Sequence, residues 1–378
     1  MGVTSRHTMS FLDPYALGVG STCPALGLMR AEAWQPADLM ALKQRRGRAV
    51  HVVFPVKSEA EAANVAQLVA ILAPWVGSFI DAVWLACGAT EPGDLAHLPQ
   101  QFTGLRLFMA RAQPPPDQVG TAWGKGAVMR AMLHHLLVSR MVTDRLDIVQ
   151  FLDADIKPDY FSPAWCLGPV GALLWFQGLA ACKVVYFRPR GGRLNTFIRS
   201  LLATLPHPGV QRLQALVYLL SGEMAATLAF WSAVPFKTGY GVELLILLQL
   251  ALEQLRLEPG RSDLASLAQV YVGQMDHRHA PLRSDGRRAG LDQMAAALCQ
   301  TLWDTLSQTG VLQWTGPSTL PGPLRLPLAG RRSASTPSWL TIPLVEETVP
   351  PLRTLPPFRE LCPKNVAEET LEKPLQQC

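Results

Sequence analysis

The chain has 378 residues, 49% of them apolar and 17% charged, with a formal net charge of +5. That length and apolar content suffice for a buried core, in one large domain or two modest ones, and exclude a disordered polymer. The mild positive balance favours an anionic ligand, but no Lys/Arg run with interleaved aromatics marks a nucleic-acid surface. Seven cysteines (Cys23, Cys87, Cys166, Cys182, Cys299, Cys362, Cys378) are scattered without a C-x-x-C pair or a histidine cluster. Zinc and a disulfide framework are therefore not expected, and reduced thiols fit a cytoplasmic protein.

In chain order, residues 1–33 carry no clear pattern and no signal peptide is expected. Met1-Gly2 opens like a myristoylation site, yet Arg6 stands where Ser or Thr is wanted. Trp34 to Lys43 predicts a short helix with Pro36 in its first turn. Ala49 to Pro55 predicts a strand stopped by proline, and Ser58 can cap a helix from Glu59 to Leu72. Further strands are expected at Asp81–Ala86 and Leu105–Met109, then a helix at Ala127–Ser139 after Gly124-Lys125-Gly126. Ile148 to Leu152 reads as a buried parallel strand, because it is apolar on both faces and too short for a helix.

Ser162 to Cys182 carries no charge and is long enough to span a bilayer, but Pro163, Pro169 and three glycines favour a buried helix and turn. The second half predicts strands at Lys183–Phe187 and Gln269–Val272 and helices at Leu194–Leu205, Val210–Leu220 and Val242–Leu255. Beyond Leu312 proline is dense, which predicts an extended or disordered arm. The fold class is α/β, a Rossmann-like, mostly parallel sheet with flanking helices. We divide the chain into an N-terminal segment (1–45), a Rossmann-like half (46–160), a helical half (161–312) and a proline-rich tail (313–378).

Five stretches bear on chemistry. Asp153-Ala154-Asp155 ends the central strand, so two carboxylates would sit at the carboxyl edge of the sheet, where open α/β folds bind ligands. Both could reach one hard cation, which could hold a diphosphate; a solvated strand end fits the same pattern. Arg188-Pro189-Arg190-Gly191-Gly192-Arg193 suits a phosphate or carboxylate, or is a solvated basic loop. Gly124-Lys125-Gly126 precedes a helix but lacks the spacing of a Walker loop. Glu243, after Gly239-Tyr240-Gly241-Val242, either complements a helix dipole or contacts a donor sugar. His277 and His279 follow a strand; either a histidine here completes an Asp-based metal site as a neutral nitrogen ligand, or the two belong to an exposed polar turn.

In this order the pieces resemble the retaining glucosyl-3-phosphoglycerate synthases, GT-A-fold glycosyltransferases that use a nucleotide sugar. The likeness begins near Ala41-Leu42-Lys43 and runs through Val52-Val53-Phe54-Pro55 with Glu59, Gly124-Lys125-Gly126, Asp153-Ala154-Asp155 and Gly191-Gly192-Arg193. It continues through Leu220-Ser221-Gly222-Glu223, Gly239 to Glu243 and His277-Arg278-His279, and returns at Val349-Pro350-Pro351-Leu352. Carried over, the resemblance implies Asp155 and His277 as ligands of Mg2+ or Mn2+, with Asp153 at the ribose. Pro55, Glu59, Lys125, Ala154, Ser221, Gly222 and Tyr240 would line the donor site, with Glu243 on the sugar hydroxyls. Gly192, Arg193, Asn195 and His279 would hold 3-phosphoglycerate, and the family forms homodimers.

Three positions depart from the pattern: Ala86 where an aspartate is expected, Leu194-Asn195 in place of Val-Thr, and Met275 in place of arginine. A changed donor or acceptor (GDP-mannose, glycerate) and a non-catalytic nucleotide-sugar-binding protein are the alternatives that these departures raise. A membrane-associated transferase using residues 162–182 is a third.

Overall fold

The computed structural model describes residues 9–56, 59–87, 107–111, 124–188, 192–255, 264–276, 290–311, 324–327, 339–342 and 348–355. Its centre is an eight-stranded sheet. In chain order the strands are β1 (Leu28–Arg30), β2 (Val50–Val56), β3 (Ala82–Cys87), β4 (Leu107–Arg111), β5 (Ile148–Phe151), β6 (Ala181–Phe187), β7 (Met224–Thr227) and, beyond the short β8 (Phe236–Lys237) outside the sheet, β9 (Leu267–Gln274). They lie in the order β1-β9-β6-β7-β5-β2-β3-β4. Every neighbouring pair is parallel except those made by β7, which runs antiparallel to both β5 and β6.

Strands of both sequence halves thus share one sheet. Along β2, Val50, Val52, Phe54 and Val56 enter one core layer and Val53 enters the other, as the two-residue period of a strand requires. Helices α2 (Pro36–Arg46), α3 (Glu59–Leu72) and α5 (Ala164–Trp175) cover the first face; a short α1 (Pro14–Leu17) precedes α2. On the other face lie α4 (Lys125–Val138), α6 (Arg193–Ala203), α7 (Pro208–Arg212), α8 (Leu228–Ala233), α9 (Val242–Ala251) and α10 (Leu291–Gln308). The uncharged stretch after Ser162 is the buried α5, and no helix among the described residues is long and apolar enough to cross a membrane.

Several sequence expectations are corrected. Pro55 does not stop β2. The strand runs on to Val56, because its ladder with β5 ends at Val53 and the missing Pro55 N–H costs no bond there. The patternless N-terminus supplies β1, at the sheet edge beside β9. Helix 210–220 stops at Arg212, followed by a 3-10 turn at Leu213–Ala215. Side chains take the backbone groups that a longer helix would need: Arg199 donates to the carbonyls of Gln214 and Leu216. Gln269 Oε1 accepts from Val217 N, and Asn195 Oδ1 accepts from Leu219 N.

The described residues of the tail hold regular structure that its prolines do not suggest. It forms an antiparallel pair, β10 (Leu324–Pro327) with β11 (Trp339–Ile342), and β12 (Thr348–Val349) pairs with β8. Arg130 of α4, fully buried, donates from Nε and one terminal nitrogen to the Pro350 carbonyl, fixing that segment over the helix.

The glycines of Gly124-Lys125-Gly126 have a packing reason. A Cβ at Gly124 would stand 2.6 Å from the Thr238 carbonyl, and one at Gly126 only 1.9 Å from the Lys237 carbonyl. The start of α4 therefore lies directly on the backbone of 237–239. Gly126→Ala should gain about 1 kcal/mol of helix propensity but lose about 3 kcal/mol to overpacking against a backbone that cannot yield. The expected net loss of about 2 kcal/mol is read as a lower urea midpoint at unchanged m value.

Candidate active site

The antiparallel course of β7 determines what meets at the sheet edge. In a purely parallel sheet the residues before a strand lie at the opposite end from those after its neighbour. Here Phe151 pairs with Met224, and Met224 pairs with Lys183. The segment entering β7, Ser221-Gly222-Glu223, thus lies beside the segment leaving β5, Leu152 to Asp155. The helix starts of α4 and α9 close over this edge and bring Lys125 and Glu243.

Lys125 Nζ lies 2.5 Å from Asp153 Oδ1 and 2.8 Å from Glu243 Oε1. Gly222 sits against all three. A Cβ there would be 1.8 Å from Lys125 Nζ, 2.9 Å from Asp153 Oδ1 and 3.0 Å from Glu243 Oε1. Burial alone would lower the lysine's pKa, but Asp153, Glu243 and Glu223 outweigh it and hold the ammonium well above its ordinary value. The cluster is a cation wrapped by carboxylates, and a bound diphosphate could take their place.

The two aspartates do not continue β5. Its ladder ends at Phe151, and Ala154 and Asp155 form a turn. Asn64 of α3 fixes that turn, donating to the carbonyls of Ala154 and Ile156 at 2.8 and 2.7 Å. Just beyond, Lys157 donates its backbone N–H to the Asp276 carbonyl at 3.2 Å and its ammonium to the Asp276 carboxylate. The residue preceding His277 therefore lies within two residues of Asp155. Carboxylates at this turn are oxygen ligands of the kind that Mg2+ and Mn2+ prefer. His277 and His279 themselves fall outside the described residues. No cluster of three metal-binding side chains occurs among the described residues.

The remaining expected site residues distribute as follows. Pro55 is half-buried in β2, in register with Ala86. Glu59 begins α3. Ala154 and Ser221 are buried and Tyr240 is half-buried before α9. Gly192 adopts φ +75°, the left-handed region that glycine enters freely, and starts α6 with no side-chain cap; Arg193 follows, exposed. Asn195 is half-buried, and its carbonyl oxygen is occupied by Leu219 N at 2.7 Å. Of the departures, Ala86 and Met275 are both core residues here.

Two buried charges were not singled out from the sequence. Glu223 has no exposed surface; its Oε2 accepts from Tyr186 OH at 3.0 Å, and its Oε1 has no partner. Burial, reinforced by the Asp153 charge, pushes its carboxyl up to about 8. Lys183, 2% exposed, donates to the Ser221 carbonyl at 2.7 Å, and burial draws its ammonium down to about 8. The available signal was a lone charge inside an apolar run, Lys183 in Ala181–Phe187 and Glu223 before Met-Ala-Ala.

No family model matches the chain. Glucosyl-3-phosphoglycerate synthase of Mycolicibacterium smegmatis is 30% identical over 292 residues, 74% of this chain and 83% of that protein. The Mycobacterium tuberculosis enzyme, solved with Mn2+, UDP-glucose and phosphoglyceric acid, superposes with a TM-score of 0.61 at 27% identity, covering 85% of this chain and 95% of that one. Its structure with Mg2+ and UDP gives the same score and identity over 86% and 98%. The sheet and these likenesses together define a GT-A glycosyltransferase. At this identity and coverage, the chain belongs to the glucosyl-3-phosphoglycerate synthase family.

The Glu223 carboxyl gives a pH test. Its folded pKa, about 8, lies above its ordinary value of 4.5, so between those limits the folded chain binds more protons than the unfolded one. Its contribution to stability is complete below 4.5 and is lost as pH rises toward 8. Lys183 has the opposite shift, but its window opens above 8. Urea midpoints of the wild type should therefore fall, relative to those of Glu223→Gln, from pH 5 to pH 8. Parallel profiles would show that the carboxyl is not held protonated.

Proposed function

We propose that the chain transfers glucose from UDP-glucose to the free hydroxyl of 3-phosphoglycerate, with retention at the anomeric carbon, giving glucosyl-3-phosphoglycerate. One observation carries this reading: in a member of this family, Lys125, Asp153 and Glu243 converge on the bare backbone of Gly222 at the carboxyl edge of the sheet. A flat floor without a Cβ, ringed by one cation and two carboxylates, suits a sugar diphosphate better than a simple anion. The carboxylates accept from sugar or ribose hydroxyls, and the ammonium faces the phosphates.

In this reading Asp153 holds the ribose and Glu243 the glucose hydroxyls, after Lys125 turns from them to the diphosphate. Pro55, Glu59, Ala154, Ser221 and Tyr240 complete the donor pocket. Asp155 and His277 hold a divalent cation, which when bound neutralises charge on the departing UDP. Lys125 shares that work. No side-chain nucleophile is assigned; the leaving phosphate takes the acceptor hydroxyl proton on the same face. Gly192 and Arg193 at the open start of α6, with Asn195 and His279, bind the phosphate and carboxylate of the acceptor. A cytoplasmic homodimer joined through the C-terminal portion completes the proposal, drawn from the family resemblance and the scattered thiols.

The test is UDP release in the presence of Mg2+ and UDP-glucose, with and without 3-phosphoglycerate. Release is expected to need the acceptor and to fall by at least about 1000-fold in Asp155→Ala, since several kcal/mol of charge stabilisation is lost. Turnover with GDP-mannose or glycerate instead would redirect the substrates. Nucleotide binding without turnover on any pair would leave a binding protein.

For the acceptor, Arg193→Ala should raise the KM for 3-phosphoglycerate by about 10- to 100-fold, the worth of one charge-assisted hydrogen bond, with the UDP-glucose KM unchanged. A loss confined to the donor KM would assign Arg193 elsewhere.

A further inference from the structure

The backbone that forms the floor of the site meets the sheet only at its end, where the Glu223 carbonyl accepts from Val184 N of β6 at 3.0 Å. Between the turn at Leu213–Ala215 and the first residue of β7 the chain runs without regular structure, so its position depends on other contacts. Side chains supply them in succession. Arg199 takes the carbonyls of Gln214 and Leu216; Gln269 takes the Val217 N–H; Asn195 takes the Leu219 N–H. The last of these contacts, one residue before Gly222, is Lys183 Nζ on the Ser221 carbonyl at 2.7 Å.

Lys183 is an expensive residue for that task. It occupies the middle of β6 among Ala181, Cys182, Val184 and Val185, all fully buried, where an apolar side chain would pack without desolvating an ammonium. Its register beside Met224 lets the four-carbon stem reach back past Glu223 and Gly222 to Ser221. Glu243 is foremost among the charges that favour its ammonium, followed by Glu223, while Lys125 opposes it. The charged cluster and this second lysine therefore act on the same short piece of chain from its two sides.

The geometry points to Lys183 as a further positioning residue of the transfer: by holding the Ser221 carbonyl it sets the Gly222 backbone at the distance from Lys125, Asp153 and Glu243 that the sugar needs. The proposal rests on the glucosyl-transfer reading above. It assigns Lys183 no contact with substrate. A floor that shifts misplaces the reacting centres even though the donor still binds, so the loss should fall on kcat. A shift of about 1 Å can cost about 100-fold.

The test compares Lys183→Met, which keeps length and packing, with Lys183→Gln, which keeps an N–H donor. Three measurements are made on the full chain: the melting temperature, kcat and KM on Mg2+, UDP-glucose and 3-phosphoglycerate, and amide hydrogen exchange across residues 214–222 without substrate. Lys183→Met is expected to melt at or above the wild type, to lose about 100-fold in kcat with donor KM within about threefold, and to exchange faster at 214–222 but not in α4. Lys183→Gln should recover about tenfold of that loss.

A kcat within about twofold of wild type in Lys183→Met overturns the proposal, as does a loss appearing only in KM, or unchanged exchange. If Lys183→Met fails to fold, Lys183→Gln decides: reduced kcat at unchanged KM supports the role, and wild-type kcat overturns it. A wild type that does not turn over UDP-glucose defeats the substrate reading instead; the exchange comparison then decides the role of Lys183 without it.

Discussion

The reversed direction of one four-residue strand is the constraint from which the rest of the site follows. β7 joins two parallel groups, β5-β2-β3-β4 on one side and β6-β9-β1 on the other, by running antiparallel to both. Its N-terminal end therefore lies among their C-terminal ends. Without that reversal Gly222 would approach the sheet from the far edge and could not meet Asp153. Both core layers serve to hold this one edge: α3 ties the Asp153–Asp155 turn through Asn64, while α4 and α9 deliver their first residues to it.

Charge in this site is arranged in two depths. Nearer the solvent, Lys125 is satisfied by Asp153 and Glu243, which keep partial access to water. Behind the floor, Lys183 and Glu223 are sealed from water and cannot exchange partners with a ligand. Their burial shifts both toward neutrality, the amine downward and the carboxyl upward. The surface pair is suited to binding, and the buried pair to rigidity.

Much of the fold was legible because it depends on period and β-branching. Val50–Val56, Ala82–Cys87 and Leu267–Gln274 carry valines among other apolar and aromatic residues, and emerged within two or three residues. β7 escaped notice because Met-Ala-Ala-Thr has little strand propensity and β1 because Leu-Met-Arg is too short to show alternation; each is a strand only by virtue of its neighbours. At the site, no spacing joins positions 125, 153, 222 and 243. Taken singly, each pattern had an ordinary alternative, and the family likeness put them together before the geometry did. The helix expected over 210–220 failed for a cause no local pattern records, since Arg199, Asn195 and Gln269 claim its backbone from other elements.

The closing segment of the chain bears on how this molecule can be divided. Arg130 lies one helical turn and a half beyond Lys125 on the same helix, and its guanidinium is capped by the Pro350 carbonyl, some 220 residues away in sequence. β12 adds a second tie, to β8, whose Lys237 carbonyl abuts Gly126. The proline-rich stretch before residue 348 therefore looks like a natural place to end the chain, but is not one. A shortened molecule would lose an acceptor for a cation in its own interior and unfasten the helix that carries Lys125. Residues 348–350, β8 and α4 thus form a single piece of architecture.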